Sequence, residues 1–360
     1  MKVLHITSWH PNRGQPKEAL FIHRQVEALN EFVDDQKVIH AQVLYGKLRF
    51  IRYQDYGAHH VLLQIPTRRW IIIEVFSSLL VLFVLLRNRA NSYDVLNFHI
   101  AYPNLTYWHL FKGFFKPKTV ITEHWSAYHF NFGLKKSLPR VQRIFKQNIP
   151  VITVSKALGN DIKQFSGYDF VNFIVPNVVE NDFKRLSLNR EKGRFFMVSL
   201  WKSPKDPFIV INAFVKLLDF DPSIKLVIAG YGPQWEEIVQ LSQPHNQIEL
   251  LGKLDSAEIA RQMNMASAYI HPSVYETFSV VCAEALMCGC PVIASHVGGI
   301  PEFVNASNGV LIENNSEDDF FEAMYKLING PMVFNEVPDF SKVTIGKKYF
   351  DVLQHIISQK

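Results

Sequence analysis

The chain has 360 residues, 48% hydrophobic and 20% charged, with a formal net charge of +5 and a pI near 8.9. That length exceeds one ordinary core and predicts two domains, and the composition excludes a disordered chain. Three cysteines, Cys282, Cys288 and Cys290, crowd one segment, too few for a disulfide framework and wrongly spaced for zinc, so a reducing, cytoplasmic setting is expected.

The N-terminal MKVLHITSW reads as a strand over Val3–Thr7 rather than as a signal peptide. A loop with a single glycine, Gly14, leads into a helix over EALFIHRQVEAL, the opening of a doubly wound α/β domain. The loop lacks G-x-G-x-x-G, which argues against a dinucleotide-binding oxidoreductase. Further strands are expected at Lys37–Leu44, Val61–Ile65, Val95–Asn97 and Thr119–Thr122, with a helix over AYPNLTYWHLFKGFF.

Between them, Trp70 to Leu86 is almost wholly apolar, with Arg68, Arg69, Arg87 and Arg89 at its ends. It falls short of the ~20 residues of a spanning helix and reads as a buried domain helix, an interfacial membrane helix or a span. The terminal arginines suit anionic headgroups, and peripheral association with an anionic membrane surface through residues 68–89 is expected. No nucleic-acid partner is expected.

After Pro150 come a strand and a helix capped by Ser155, then a segment of low periodicity that places a domain boundary near Asn177–Lys192. Strands and helices alternate again: RFFMVSL, DPFIVINAFVKLL, IKLVIAGYG ending on Gly230 and Gly232, QWEEIVQLSQ, IELLGKL, DSAEIARQMNMA and AYIHPS. The last strand feeds a turn that is expected to open a helix with Glu276 at its mouth and Glu284 two turns further in. The strand GCPVIAS and the Gly-rich VGGIPE follow, and a C-terminal helix closes the chain. Free N–H groups at a helix start form an anion site, and carboxylates beside it suit a ligand that carries both phosphate and hydroxyl groups.

The run SVYETFSVVCAEALMCGCPVIAS with GGIPEFV resembles the retaining glycosyltransferases of family 4, densest from Ile248 to Ile312 and extending over nearly the whole chain. The resemblance implies a GT-B fold of two Rossmann-like, doubly wound parallel-sheet domains facing across a cleft. Residues 1–180 would form an acceptor domain, 181–345 a donor domain, and 346–360 a helix crossing back. It implies that Glu276 contacts the transferred sugar, Glu284 the ribose, and the backbone of Thr277, Phe278 and Ser279 the sugar and diphosphate. Gly230 and Gly232 would border the donor. His124 in T-E-H-W matches the histidine that bonds the donor sugar, and Lys205 the lysine that grips the diphosphate. The family's arginine is absent, Leu200 standing in its place, and Lys202 is a candidate substitute.

Weaker acceptor-side candidates are Gly14, Asn12, Arg13 and His99. Asp219–Asp221 and Asp318–Asp319 read as turn and helix-start residues, His271 as structural, and neither a metal site nor a cofactor is expected, the nucleotide sugar being a co-substrate. The implied reaction moves a sugar from a UDP- or GDP-sugar to a glycan or lipid-linked acceptor, with bacterial surface polysaccharide synthesis as the setting. A nucleotide-sugar epimerase of the same fold and a non-catalytic nucleotide-sugar or membrane-binding protein are the alternatives.

Overall fold

Near-continuous apolar runs become parallel strands buried on both faces, as that type of sheet requires. The computed structural model describes residues 1–16, 18–136, 138–330, 334 and 336–359. It divides into two units, Met1–Val178 with the segment from Lys342 onward, and Val179–Ser341.

The first unit holds β1 (Lys2–Thr7), β2 (Asp35–Tyr45), β3 (Arg49–Asp55), β4 (Ala58–Ile65), β5 (Val95–His99), β6 (Lys118–Glu123), β7 (Val151–Thr153) and β8 (Asn172–Ile174). Their order is β3-β4-β2-β1-β5-β6-β7-β8, parallel throughout except for the antiparallel β3–β4 pair. Helices α1 (Leu20–Ala28), α2 (Trp70–Arg87), α3 (Pro139–Phe145) and α4 (Lys156–Ser166) connect them. Ser155 caps α4 by accepting from the Leu158 N–H.

In the second unit, β9 (Arg194–Leu200), β10 (Lys225–Tyr231), β11 (Ile248–Gly252), β12 (Ala268–His271), β13 (Val292–Ser295) and β14 (Gly309–Ile312) form a wholly parallel sheet ordered β11-β10-β9-β12-β13-β14. Its helices are α5 (Pro207–Leu218), α6 (Trp235–Ser242), α7 (Ser256–Met265), α8 (Val280–Met287) and α9 (Glu317–Asn329). Phe195, Met197, Phe214, Ile228 and Phe320 anchor a core in which each is fully buried. The chain closes with α10 (Lys342–Ser358), which belongs to the first unit. There Tyr349 is buried, its hydroxyl 2.5 Å from Asn97 Nδ2 and 2.8 Å from Thr122 Oγ1.

Two expectations need correction. The stretch AYPNLTYWHLFKGFF forms turns and two short 3-10 segments, Trp108–Leu110 and Lys112–Phe114, instead of a helix. Pro103 and Gly113 break it from within, and the preceding Ile100 sits at φ 64°, outside helical space. The turn after β12 also does not start a helix at Glu276. Ser279 adopts φ 70°, so α8 begins at Val280 and Glu276 lies on the preceding loop.

Candidate active site

In a doubly wound sheet, ligands gather beyond the carboxyl ends of the strands where the order reverses. In the second unit that point lies between β9 and β12, neighbours in the sheet but far apart in sequence. The loop after β9 carries Lys205 and the loop after β12 carries Glu276. Backbone bonds staple the two loops together: Val274 N–H donates to Pro204 C=O at 2.8 Å and Asp206 N–H to Pro272 C=O at 3.3 Å.

The stapling brings the side chains into contact. Lys205 Nζ lies 2.5 Å from Glu276 Oε1, and His271 Nε2 lies 2.7 Å from the same oxygen. Glu276 Oε2 takes no hydrogen bond from the described residues, which leaves it as an open acceptor. Burial alone would raise this carboxyl, but the His271 hydrogen bond and charge, with Lys205 beside it, hold it at about 2. It is therefore a fixed anion at neutral pH.

His271, read from the sequence as structural, is buried beside Glu276. Its Nδ1 lies 3.2 Å from Tyr269 Oη, which is also 3.0 Å from Val198 C=O. With a neutral imidazole protonated at Nε2, the Tyr269 hydroxyl can donate to Nδ1. With an imidazolium, Nδ1 donates to Tyr269 and the hydroxyl turns to Val198. The ring keeps two partners in either state. Replacing His271 with alanine is expected to raise the Glu276 carboxyl toward the ordinary range and move the acid limb of kcat/KM to higher pH. An unmoved acid limb contradicts this role.

The Gly-rich VGGIPE turn holds Glu276 from the other side. Gly299 N–H donates to Glu276 C=O at 3.0 Å, and a Cβ at Gly298 would stand 1.8 Å from that carbonyl oxygen. Thr277 is half-buried, while the Phe278 ring packs into the core against Phe303 and Phe340, with centroids 4.9 and 5.3 Å away. Only the Phe278 backbone is therefore open to a ligand role. Ser279 Oγ lies 3.3 Å from His271 Nε2, and its left-handed backbone is a strain of the kind that collects at functional sites. Glu284 sits half-buried on α8.

Trp201, next to Leu200, anchors the loop after β9 in the core. Its indole is 1% exposed and donates from Nε1 to Ala229 C=O at 2.8 Å. A Cβ at Gly230 would lie 2.0 Å from Ser199 C=O, and one at Gly232 would lie 2.4 Å from Trp201 C=O. The chain itself thus fills the space these two glycines leave. Leu200 and Lys202 are exposed, and the Lys202 carbonyl accepts from Lys205 N–H at 3.0 Å.

The remaining candidates belong to the first unit. His124 follows β6, 6% exposed, packed on Phe21 at 4.7 Å and stacked 6.2 Å from His99. Burial pushes its pKa down to about 3 against the Asn177 amide, which pulls the other way. Neither ring nitrogen makes a hydrogen bond of normal geometry, so a buried neutral imidazole is left with open polar atoms. His99, at the end of β5, bonds His5 Nδ1 through Nε2 at 3.0 Å and leaves Nδ1 open.

Asn12 is committed to its own turn, its Oδ1 accepting from Gly14 N–H at 3.0 Å and Gln15 N–H at 3.1 Å. Gly14 is exposed, and the exposed Arg13 pairs with Asp55 at 3.4 Å. His10, His40 and His60 form a further buried cluster that the sequence did not flag. Among the described residues, no group of His, Cys, Asp or Glu is placed to hold a metal ion.

Glu123, beside His124, is wholly buried and accepts from Ala101 N–H and Tyr128 O–H, both at 2.7 Å. Burial outweighs these bonds and pushes it up to about 7. A raised carboxyl contributes stability that is complete below its unfolded pKa of about 4.5 and is lost as pH rises through 7. Glu123→Gln removes that loss. The variant's melting curve should gain on the wild type by ~3 kcal/mol between pH 4.5 and 8. Parallel pH profiles would contradict the assignment.

Residues 178–342 match the family described as Glycosyl transferases group 1. They form a group 1 glycosyltransferase domain. The chain is 25% identical over 226 residues to the Saccharomyces cerevisiae phosphatidylinositol N-acetylglucosaminyltransferase GPI3 subunit, covering 59% of this chain and 50% of that protein. It is 30% identical over 245 residues to an uncharacterized glycosyltransferase of Methanocaldococcus jannaschii, 66% of each. The chain thus spans about half the length of the yeast relative. Among solved structures, Anabaena HepE in complex with UDP superposes with a TM-score of 0.67 at 17% identity, over 99% of this chain and 100% of that one. This likeness establishes the fold as GT-B, and the group 1 domain contains the Lys205–Glu276–His271 cluster.

Proposed function

We propose that the chain is a retaining glycosyltransferase that moves a sugar from a nucleoside diphosphate sugar to a hydroxyl of a glycan or lipid-linked acceptor. The observation that carries this reading is the convergence of Lys205 and Glu276 at the switch point of the group 1 domain sheet. Glu276 Oε2 would accept hydrogen bonds from sugar hydroxyls, and Glu284 would accept from the ribose diol. Lys205 would exchange part of its bond to Glu276 for the diphosphate, as charge grows there when the C1–O bond breaks.

The acceptor oxygen would bond to C1 on the face the nucleotide leaves, and its proton would pass to the departing phosphate oxygen. Configuration is then retained without a covalent enzyme nucleotide or sugar adduct, and no metal is required. In the first unit, the open nitrogens of His124 suit a hydrogen bond to a sugar hydroxyl. His99, Arg13 and the Asn12–Gly14 turn are acceptor-side candidates, and Lys202 is an auxiliary cation for the diphosphate.

Similarity to the yeast phosphatidylinositol N-acetylglucosaminyltransferase GPI3 subunit favours a lipid-linked acceptor. The UDP in the Anabaena structure favours a uridine donor, with GDP-sugars next. The setting proposed is cytoplasmic, at the inner face of a bacterial membrane, in surface polysaccharide synthesis. Incubation with UDP- and GDP-sugars should release nucleotide only when a membrane extract supplies acceptor, and the product's anomeric proton coupling should match the donor's. Inversion, or sugar interconversion without acceptor, would overturn the reading.

A further inference from the structure

The apolar helix α2 is neither fully buried nor free. Ser77, Leu80, Val81, Val84 and Leu85 face inward and are buried, and Glu74 is held by Arg140 Nε at 2.6 Å. The opposite face carries Ile71, Val75, Leu79, Phe83 and Leu86, spaced three or four residues apart along one stripe. Leu79 keeps 53% and Leu86 63% of its surface in solvent. Phe50 of β3 meets Phe83 edge-on at 5.7 Å, so the connection from β2 into β3 extends the same surface, with its Leu48 75% exposed. An apolar patch of this continuity marks an interaction surface.

Charge decides what covers it. Across 45–54 and 66–92 the only acidic residue is Glu74, which is buried. The β2–β3 connection and β3 bear exposed Lys47, Arg49 and Arg52, and exposed arginines 68, 69, 87 and 89 bracket α2. None of these cations has an ion-pair partner among the described residues. Arg68 lies over the Tyr45 ring at 4.3 Å and Arg52 over Phe50 at 5.5 Å, which holds two of them at the patch. An apolar stripe rimmed by cations alone complements a sheet of anionic headgroups over hydrocarbon.

We infer that the outer face of α2 together with the β2–β3 connection and the start of β3 is a docking surface for an anionic bilayer, with α2 lying in the interface plane. A spanning α2 would strip the inner face and the Glu74–Arg140 pair from the fold, and Glu74 in hydrocarbon would be costly. The surface shares no residue with the Lys205–Glu276 cluster.

The full chain should float with phosphatidylcholine vesicles containing phosphatidylglycerol at low salt, and high salt should release it. Replacing Arg68 and Arg69 with Gln should weaken partitioning about fivefold per residue. Leu79→Gln with Phe83→Gln should weaken it at least tenfold while leaving the thermal shift by nucleotide sugars intact. Three results would overturn the inference: no flotation at low salt, retention on vesicles through high-salt washing, or variants that disrupt a protein oligomer without changing vesicle binding. Loss of the nucleotide shift in the wild type would instead count against the donor reading and leave vesicle binding unaffected.

Discussion

Lys205→Ala is expected to lower kcat for sugar transfer by about 30- to 1,000-fold, equivalent to ~2–4 kcal/mol of transition-state stabilisation. The lysine is held at the switch point by the stapled β9 and β12 loops, and its charge is matched by Glu276. A diphosphate would compete for the same ammonium, and the competition favours phosphate as the leaving group gathers charge. Removing the side chain leaves Glu276 with His271 as its remaining hydrogen-bond partner, so donor binding should weaken less than turnover. Lys202→Ala serves as the control. That residue is exposed, and with no more than an auxiliary role its loss should leave kcat within a few-fold of wild type. Equal losses in the two variants would move the diphosphate grip away from Lys205.

Gly298→Ala should be nearly as damaging, through the backbone. Its Cβ would lie 1.8 Å from the Glu276 carbonyl oxygen and 2.8 Å from its carbon, and neither is a flexible side-chain end that can move aside. Gly298 also sits at φ 53°, where a Cβ adds strain of its own. Overpacking of this kind costs ~1–3 kcal/mol. The larger effect is expected in kcat/KM, because a shift near 1 Å in a positioned group can cost about 100-fold. Gly252→Ala separates the two causes. That position has φ 63° but nothing within 4 Å of the added Cβ, so it should lose some stability and keep activity. Comparable activity in both alanine variants would show that the Gly298 contact does not hold Glu276.

Much of this was legible in the sequence because buried parallel strands are written as continuous apolar runs. RFFMVSL and IKLVIAGYG could hardly be read otherwise, and Ser155 announced the start of α4. The hairpin strand β3 was missed because RFIRYQD alternates, carries two arginines and lies at the sheet edge, where burial leaves little imprint. The helix expected over 101–115 was a periodicity of aromatic residues that pack as separate turns. The glutamate pair was visible as a spacing, but Ser279 turns the chain through a left-handed conformation that serine rarely signals, so the helix start was misplaced by four residues. The partnership of His271 with Glu276 depends on two residues meeting across a turn, which no linear pattern encodes. Trp201 escaped notice for a similar reason, since only the fold shows that it occupies the space left by Gly230 and Gly232.

The central claim is that the Glu276 loop of the group 1 domain binds a nucleotide sugar through both its sugar and its diphosphate. Thermal denaturation of the wild type and Glu276→Gln, each with a panel of nucleoside diphosphates and the matching nucleotide sugars, tests it most directly. A ligand at 100 times its Kd stabilises by about 2.7 kcal/mol. At least one base should stabilise both proteins as the free diphosphate, and the attached sugar should add stabilisation in the wild type alone. Absence of any nucleotide effect, or an equal gain from the sugar in Glu276→Gln, would contradict the account.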